Sequence, residues 1–202
     1  LVYALSLRKR DMRGNGARGL RSKRKPMEVG GMRRMSIVWM TLRISAAVYV
    51  GLCLVVMFRQ ARYVYYPDRQ VELNPKDVGL RFEAVELKTA DGELLQGWFV
   101  PVPEGAANAE PQRATVLFCH GNAGDIGDRL SMIHTLTGLG LDVFVFDYRG
   151  YGGSAGRPTE KGTYRDALAA WTYLREERGV PPERIVLFGR SLGGAVAAWL
   201  AA

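Results

Sequence analysis

Ser191 stands in Gly189-Arg190-Ser191-Leu192-Gly193, a Gly-x-Ser-x-Gly motif between an apolar run at 185–188 and an Ala-rich stretch at 192–202. Read as strand, sharp turn and helix, this places a serine hydroxyl above a sheet edge, at the positive end of a helix, where it can attack a carbonyl carbon. Gly189 and Gly193 flank it because side chains there would collide with the neighbouring strand and helix. By itself the motif is equally a strand–helix loop rich in small residues. Two further motifs bear on it. His120-Gly121-Asn122-Ala123-Gly124 follows an apolar run at 114–119, and Asp147-Tyr148-Arg149-Gly150-Tyr151-Gly152-Gly153-Ser154 follows another at 141–147. Main-chain N–H groups of Asn122 and Leu192 are candidates to point at a developing oxyanion, each donor being worth about 3 kcal/mol in a transition state.

Other chemistries lack their residues. Cys53 and Cys119 make neither a disulfide framework nor a four-ligand zinc site, and no His/Asp/Glu cluster has metal-ligand spacing. The glycines at 150–156 are not followed by the Lys and Ser/Thr of a phosphate-cradling loop. His134 reads as a surface residue of the helix after His120, and Asp125 and Asp128 as charges in its first turn.

The elements that would position these residues alternate. Runs at 82–88 and 94–100 flank Ala90-Asp91-Gly92 as a hairpin. A polar loop covers 104–112, and the runs at 114–119, 141–147 and 185–188 read as strands buried on both faces. Leu130, Ile133, Leu136 and Leu139 keep a helical period, and 163–178 reads as a helix opened by a Thr163/Asp166 capping box and stopped at Gly179. Strand and helix alternate over more than 80 residues, which predicts an α/β fold with a mostly parallel sheet and helices on both faces.

The chain has 202 residues and a net charge of +8, but the charge is not spread over it. Residues 1–34 carry eleven Lys/Arg against Asp11 and Glu28, whereas the remainder is at −1. A neutral body argues against a nucleic-acid-binding surface, and residues 1–35 read as a basic, disordered arm whose first residues need not be native sequence. Residues 36–58 are apolar apart from Arg43 and span roughly 34 Å as a helix, enough for the ~30 Å hydrocarbon core. Arg43 can snorkel to the interface. No good cleavage site follows, so an uncleaved transmembrane anchor is preferred over a cleaved signal. The basic flank places the N-terminus in the cytoplasm and everything after a juxtamembrane linker at 59–81 outside it.

Taken in order, the motifs HGNAG, DYRGYGGS and GRSLGG, each after its own strand, resemble the α/β-hydrolase superfamily. They are most similar to its membrane-anchored serine hydrolases, grouped with serine aminopeptidases, monoacylglycerol lipases and acyl-protein thioesterase-like members. The resemblance covers about 82–202, the N-terminal part of such a domain. It implies an α/β-hydrolase fold cut after the nucleophile elbow, with Ser191 as nucleophile and Asn122 and Leu192 as oxyanion donors. His120 and Gly121 would then be structural parts of the oxyanion turn, and Asp147, Arg149 and Gly150 a loop-ordering motif. Members run Ser, then Asp or Glu, then His. None of the eleven residues after Ser191 is acidic or His, so the acid and base are expected beyond this chain, and residues 59–202 alone are expected to be inactive and unstable. No cofactor or metal is implied, and the substrate would be a small-molecule, acylated or peptide ester, thioester or amide. The alternative is a non-catalytic hydrolase-fold protein tethered to the membrane.

Overall fold

The computed structural model describes residues 29–103 and 113–202, with side chains from Met35 onward. Most of the basic arm and the loop at 104–112 lie outside the described residues. Helix α1 (Val29–Val64) carries the apolar stretch. Among the described residues it is the one helix long and apolar enough to cross a membrane, and its side chains from Met35 to Gln60 are all exposed. The helix continues past Phe58 to Val64, through part of the expected linker.

Residues 52–202 form one compact unit. Its strands are β1 (Tyr66–Pro67), β2 (Glu83–Lys88), β3 (Leu94–Val100), β4 (Thr115–Cys119), β5 (Ala123–Gly124), β6 (Asp142–Phe146) and β7 (Ile185–Gly189); its further helices are α2 (Leu130–Gly138), α3 (Glu160–Thr172) and α4 (Leu192–Ala201). Five strands make one sheet in the order β2-β3-β6-β4-β7. The β2–β3 hairpin and the β3–β6 pair are antiparallel, and β6, β4 and β7 run parallel. A separate two-residue bridge joins β1 to β5 in parallel.

Alternation along the strands builds two cores. Val116, Phe118, Val143 and Val145 pack with Ile133 and Leu136 of α2 on one face. Leu117, Cys119, Phe144 and Phe146 pack with Ala167, Ala170 and Val196 of α3 and α4 on the other. A strand covered on both faces has to be apolar at every position, which is why these runs carry no polar alternation. Phe118, Phe144 and Leu117 are fully buried, each stabilising the fold by roughly 2–3 kcal/mol. Strand β7 closes one edge of the sheet, and its Val186 is exposed.

Two local expectations are corrected. Helix α3 begins at Glu160, capped by Thr159, whose side chain accepts from the Gly162 N–H at 3.1 Å. Thr163 instead lies inside the first turn and donates to the Glu160 carbonyl, while Asp166 is buried against Arg149. The capping pattern fails because that carboxylate has a cation to meet. Beyond Thr172 the helix widens into a π-helical turn, Tyr173–Glu177, closed by the Arg178 N–H on the Tyr173 carbonyl at 3.0 Å. Asp125, for its part, precedes the helical turn rather than lying within it; it is buried and accepts from the Gly127 N–H at 2.6 Å.

Candidate active site

The turn between β7 and α4 holds Ser191 at φ 53°, ψ −119°. It is the non-glycine residue with positive φ among those described, a conformation that costs about 1–3 kcal/mol and persists only where neighbours enforce it. The neighbours are close. Arg190 donates its N–H to the Cys119 carbonyl at 3.2 Å, and Gly193 and Gly194 donate to the Arg190 and Ser191 carbonyls at 2.9 Å each. A Cβ on Gly189 would run into the main chain of Gly193 and Gly194, and one on Gly193 into the carbonyls of Cys119 and His120. Glycine is therefore required on both sides for the strand and helix to approach this tightly. The Ser191 side chain is exposed and makes no helix-capping bond. Leu192 is the first residue of α4, so its N–H has no partner one turn earlier in the helix.

The turn after β4 lies against this elbow. A Cβ on Gly121 would stand 3.4 Å from the Arg190 carbonyl oxygen and 3.8 Å from the Ser191 Cβ. The Asn122 side chain is tied away from it: Oδ1 accepts from the Tyr66 N–H at 3.3 Å and the Tyr151 hydroxyl at 3.1 Å. Structure thus brings Gly121, Asn122, Ser191 and Leu192 into one neighbourhood. His134 is exposed on α2.

His120 is fully buried, its ring 4.5 Å from that of Tyr148 and 5.3 Å from that of Tyr151. Nδ1 lies 2.7 Å from the Gly121 carbonyl and must carry the proton to bond it. Nε2 faces Asp147 Oδ1 at 3.7 Å, and His120 Nε2 and Asp147 Oδ2 both lack a hydrogen-bond partner. Burial pushes His120 down to about 3. Burial, reinforced by the nearby Asp125 charge, pushes Asp147 up to about 8. At neutral pH the pair is therefore uncharged, a wedge under the turn rather than a proton relay.

Arg149 is held from three directions. Its main-chain N–H and its Nε donate to the two Asp166 carboxylate oxygens at 2.9 Å each, and its two terminal nitrogens grip Asp91 at 2.8 and 2.9 Å. The guanidinium, helped by Thr89, holds the Asp91 carboxyl well below the usual carboxylate range. The Ser154 hydroxyl donates to the Asp147 carbonyl and accepts from the Gln96 N–H, and the Gly150 N–H closes the loop on the Ala155 carbonyl. Sequence reasoning missed Asp91 and Asp166 as partners of Arg149, and Tyr66 as a partner of Asn122. Separations of 58, 17 and 56 residues leave no local pattern to read.

An open sheet with a strained serine turn at the carboxyl end of a parallel strand is the architecture of the α/β-hydrolase fold. Residues 114–202 match the family model described as alpha/beta hydrolase fold. Over 158 residues the chain is 41% identical to protein Rv2307c of Mycobacterium tuberculosis, covering 78% of this chain and 54% of that one. It is 38% identical over 159 residues to the alpha/beta hydrolase domain-containing protein WAV2 of Arabidopsis thaliana, covering 76% and 50%. Among solved structures it is similar to the esterase Pf2001 of Pyrococcus furiosus, with a TM-score of 0.54, 28% identity, and coverage of 66% of this chain and 49% of that one. The chain spans about half the length of the curated relatives it matches.

Proposed function

We propose that the protein is a membrane-anchored serine hydrolase in which Ser191 forms an acyl-enzyme with an ester, thioester or amide. The observation that carries this is the strained, exposed Ser191 between two glycines that admit no side chain, with Gly121 against it. The Ser191 Oγ attacks the carbonyl carbon, and its proton passes to a histidine and on to the leaving alcohol, thiol or amine. The oxyanion is met by the N–H groups of Leu192 and Asn122, and water then releases the acid and restores the serine. The histidine and its orienting carboxylate are proposed to come from residues beyond this chain, because His120 is buried neutral under the turn and His134 is exposed on α2. An esterase among the similar structures supports an ester as the first bond to try. Helix α1 serves as the anchor, with its basic flank in the cytoplasm and the hydrolase domain outside it.

The test is a steady-state assay of the full-length protein on p-nitrophenyl acetate. Ser191→Ala should lower kcat by at least about a thousandfold at unchanged expression and melting temperature. Equal turnover in that variant would assign the chemistry elsewhere. Alkaline phosphatase fused after Asp77 should be active in cells, and an inactive fusion would reverse the orientation.

A further inference from the structure

We propose that the Ser191 site works at the membrane surface, on the ester of an amphiphile whose acyl chain is seated in the bilayer; this rests on the anchored serine-hydrolase reading above. The first support is chain reach. The apolar run ends at Phe58, and α1 continues to Val64, which adds about 9 Å of helix. Tyr65 is buried in the core, and the next residue, Tyr66, donates its N–H to Asn122 Oδ1 at 3.3 Å. Two extended residues add at most about 7 Å. Asn122 therefore lies within roughly 20 Å of the end of the apolar run however the helix leaves the bilayer, and Gly121 touches Ser191. The headgroup layer alone takes up about 5–8 Å of that distance.

The second support is that this connection is a strap rather than a tether. Tyr66 and Pro67 pair in register with Ala123 and Gly124. Asp68 donates to the Gly124 carbonyl at 3.4 Å and accepts from the Gly152 N–H at 2.7 Å, and Arg69 reaches the Gly156 carbonyl at 3.1 Å. The residues leaving α1 are thus bonded to the turn at 120–124, which lies against Ser191, and to the loop at 150–156 beyond it. A flexible tether serves an anchor equally well; a strap built into the oxyanion turn fixes how far the site stands from the surface.

The third support is an aromatic rim where α1 seats. Ala61, Tyr65, Tyr164, Leu192 and Leu200 pack in one cluster. Tyr164 stacks on Trp199 with centroids 4.6 Å apart and planes 6° from parallel, and Trp199, Tyr63 and Tyr66 are all exposed. Aromatic rings with one apolar and one polar end favour the headgroup level. A site held there meets an amphiphile at the high effective concentration of a surface, and meets a dissolved ester without that advantage.

The experiment reconstitutes the full-length protein in phosphatidylcholine vesicles and measures two esters with one leaving group, p-nitrophenyl acetate in solution and p-nitrophenyl palmitate in the same vesicles. A Gly/Ser insertion of about 20 residues between Phe58 and Arg59 frees the unit by roughly 25 Å while leaving the strap intact. The palmitate rate should fall about tenfold and the acetate rate should hold. Both rates holding would overturn the proposal, as would wild-type protein that turns over acetate but not vesicle palmitate. Absence of Ser191-dependent turnover of either ester would instead sink the serine-hydrolase reading. Where the insertion also abolishes acetate turnover, Trp199→Ala decides: a palmitate-selective loss supports the surface site, and equal rates contradict it.

Discussion

The two glycine-rich turns that flank the sheet's carboxyl ends are built in opposite ways. At 147–154 nearly every polar group is answered: Arg149 is gripped by Asp91 and Asp166, and Ser154 by Asp147 and Gln96. At 189–194 the turn is held by main-chain bonds and glycine contacts alone, around one serine in a strained conformation with its side chain in solvent. The difference teaches where each kind of free energy is useful. Charge pairs fix a loop that must not move, whereas strain and openness are left at the residue proposed to react.

The largest expected effect falls on the ordered loop. Arg149→Met strands the buried Asp166 carboxylate and should cost about 3–5 kcal/mol of stability, read as a lowered denaturation midpoint; a loss under about 1 kcal/mol would show that the network merely decorates the loop. Beneath it lies the His120–Asp147 pair. Because the folded-state Asp147 pKa is raised to about 8, the unfolded chain ionises first, and stability falls as pH rises from about 4 toward 8. His120, depressed to about 3, acts oppositely and only below about 6.5, so the clean window is pH 6.5–8. There Asp147→Asn should remove a slope totalling about 2 kcal/mol, and parallel stability curves for the two proteins would remove the buried neutral acid from the account. The smallest effect belongs to the elbow. Ser191→Gly relieves the positive φ and should raise stability by about 1 kcal/mol, measured by thermal melting; a destabilised variant would mean the turn is relaxed.

Much of the fold was legible because burial on both faces forces apolar runs. The stretch at 94–100 coincides with β3, those at 114–119 and 185–188 differ from β4 and β7 by a residue at one end, and that at 141–147 overruns β6 by a residue at each end. The proximity of Gly121 to Ser191 comes from the sheet, where both turns end the parallel neighbours β4 and β7, and was foreshadowed only by the family resemblance of the motifs. What local pattern does not carry is the choice between uses of one side chain. Asp166 fits a cap and an ion pair equally well on paper, and only the fold brings Arg149 to it. Tyr66 falls within the stretch read as a juxtamembrane linker at 59–81, yet its main-chain N–H is what reaches Asn122.

The central claim is that the strained serine is a nucleophile, and covalent labelling tests it most directly. The full-length protein treated with a fluorophosphonate probe, digested and sequenced by mass spectrometry should carry the adduct on Ser191, with labelling lost in Ser191→Ala. An adduct on another residue, or undiminished labelling of that variant, would contradict it.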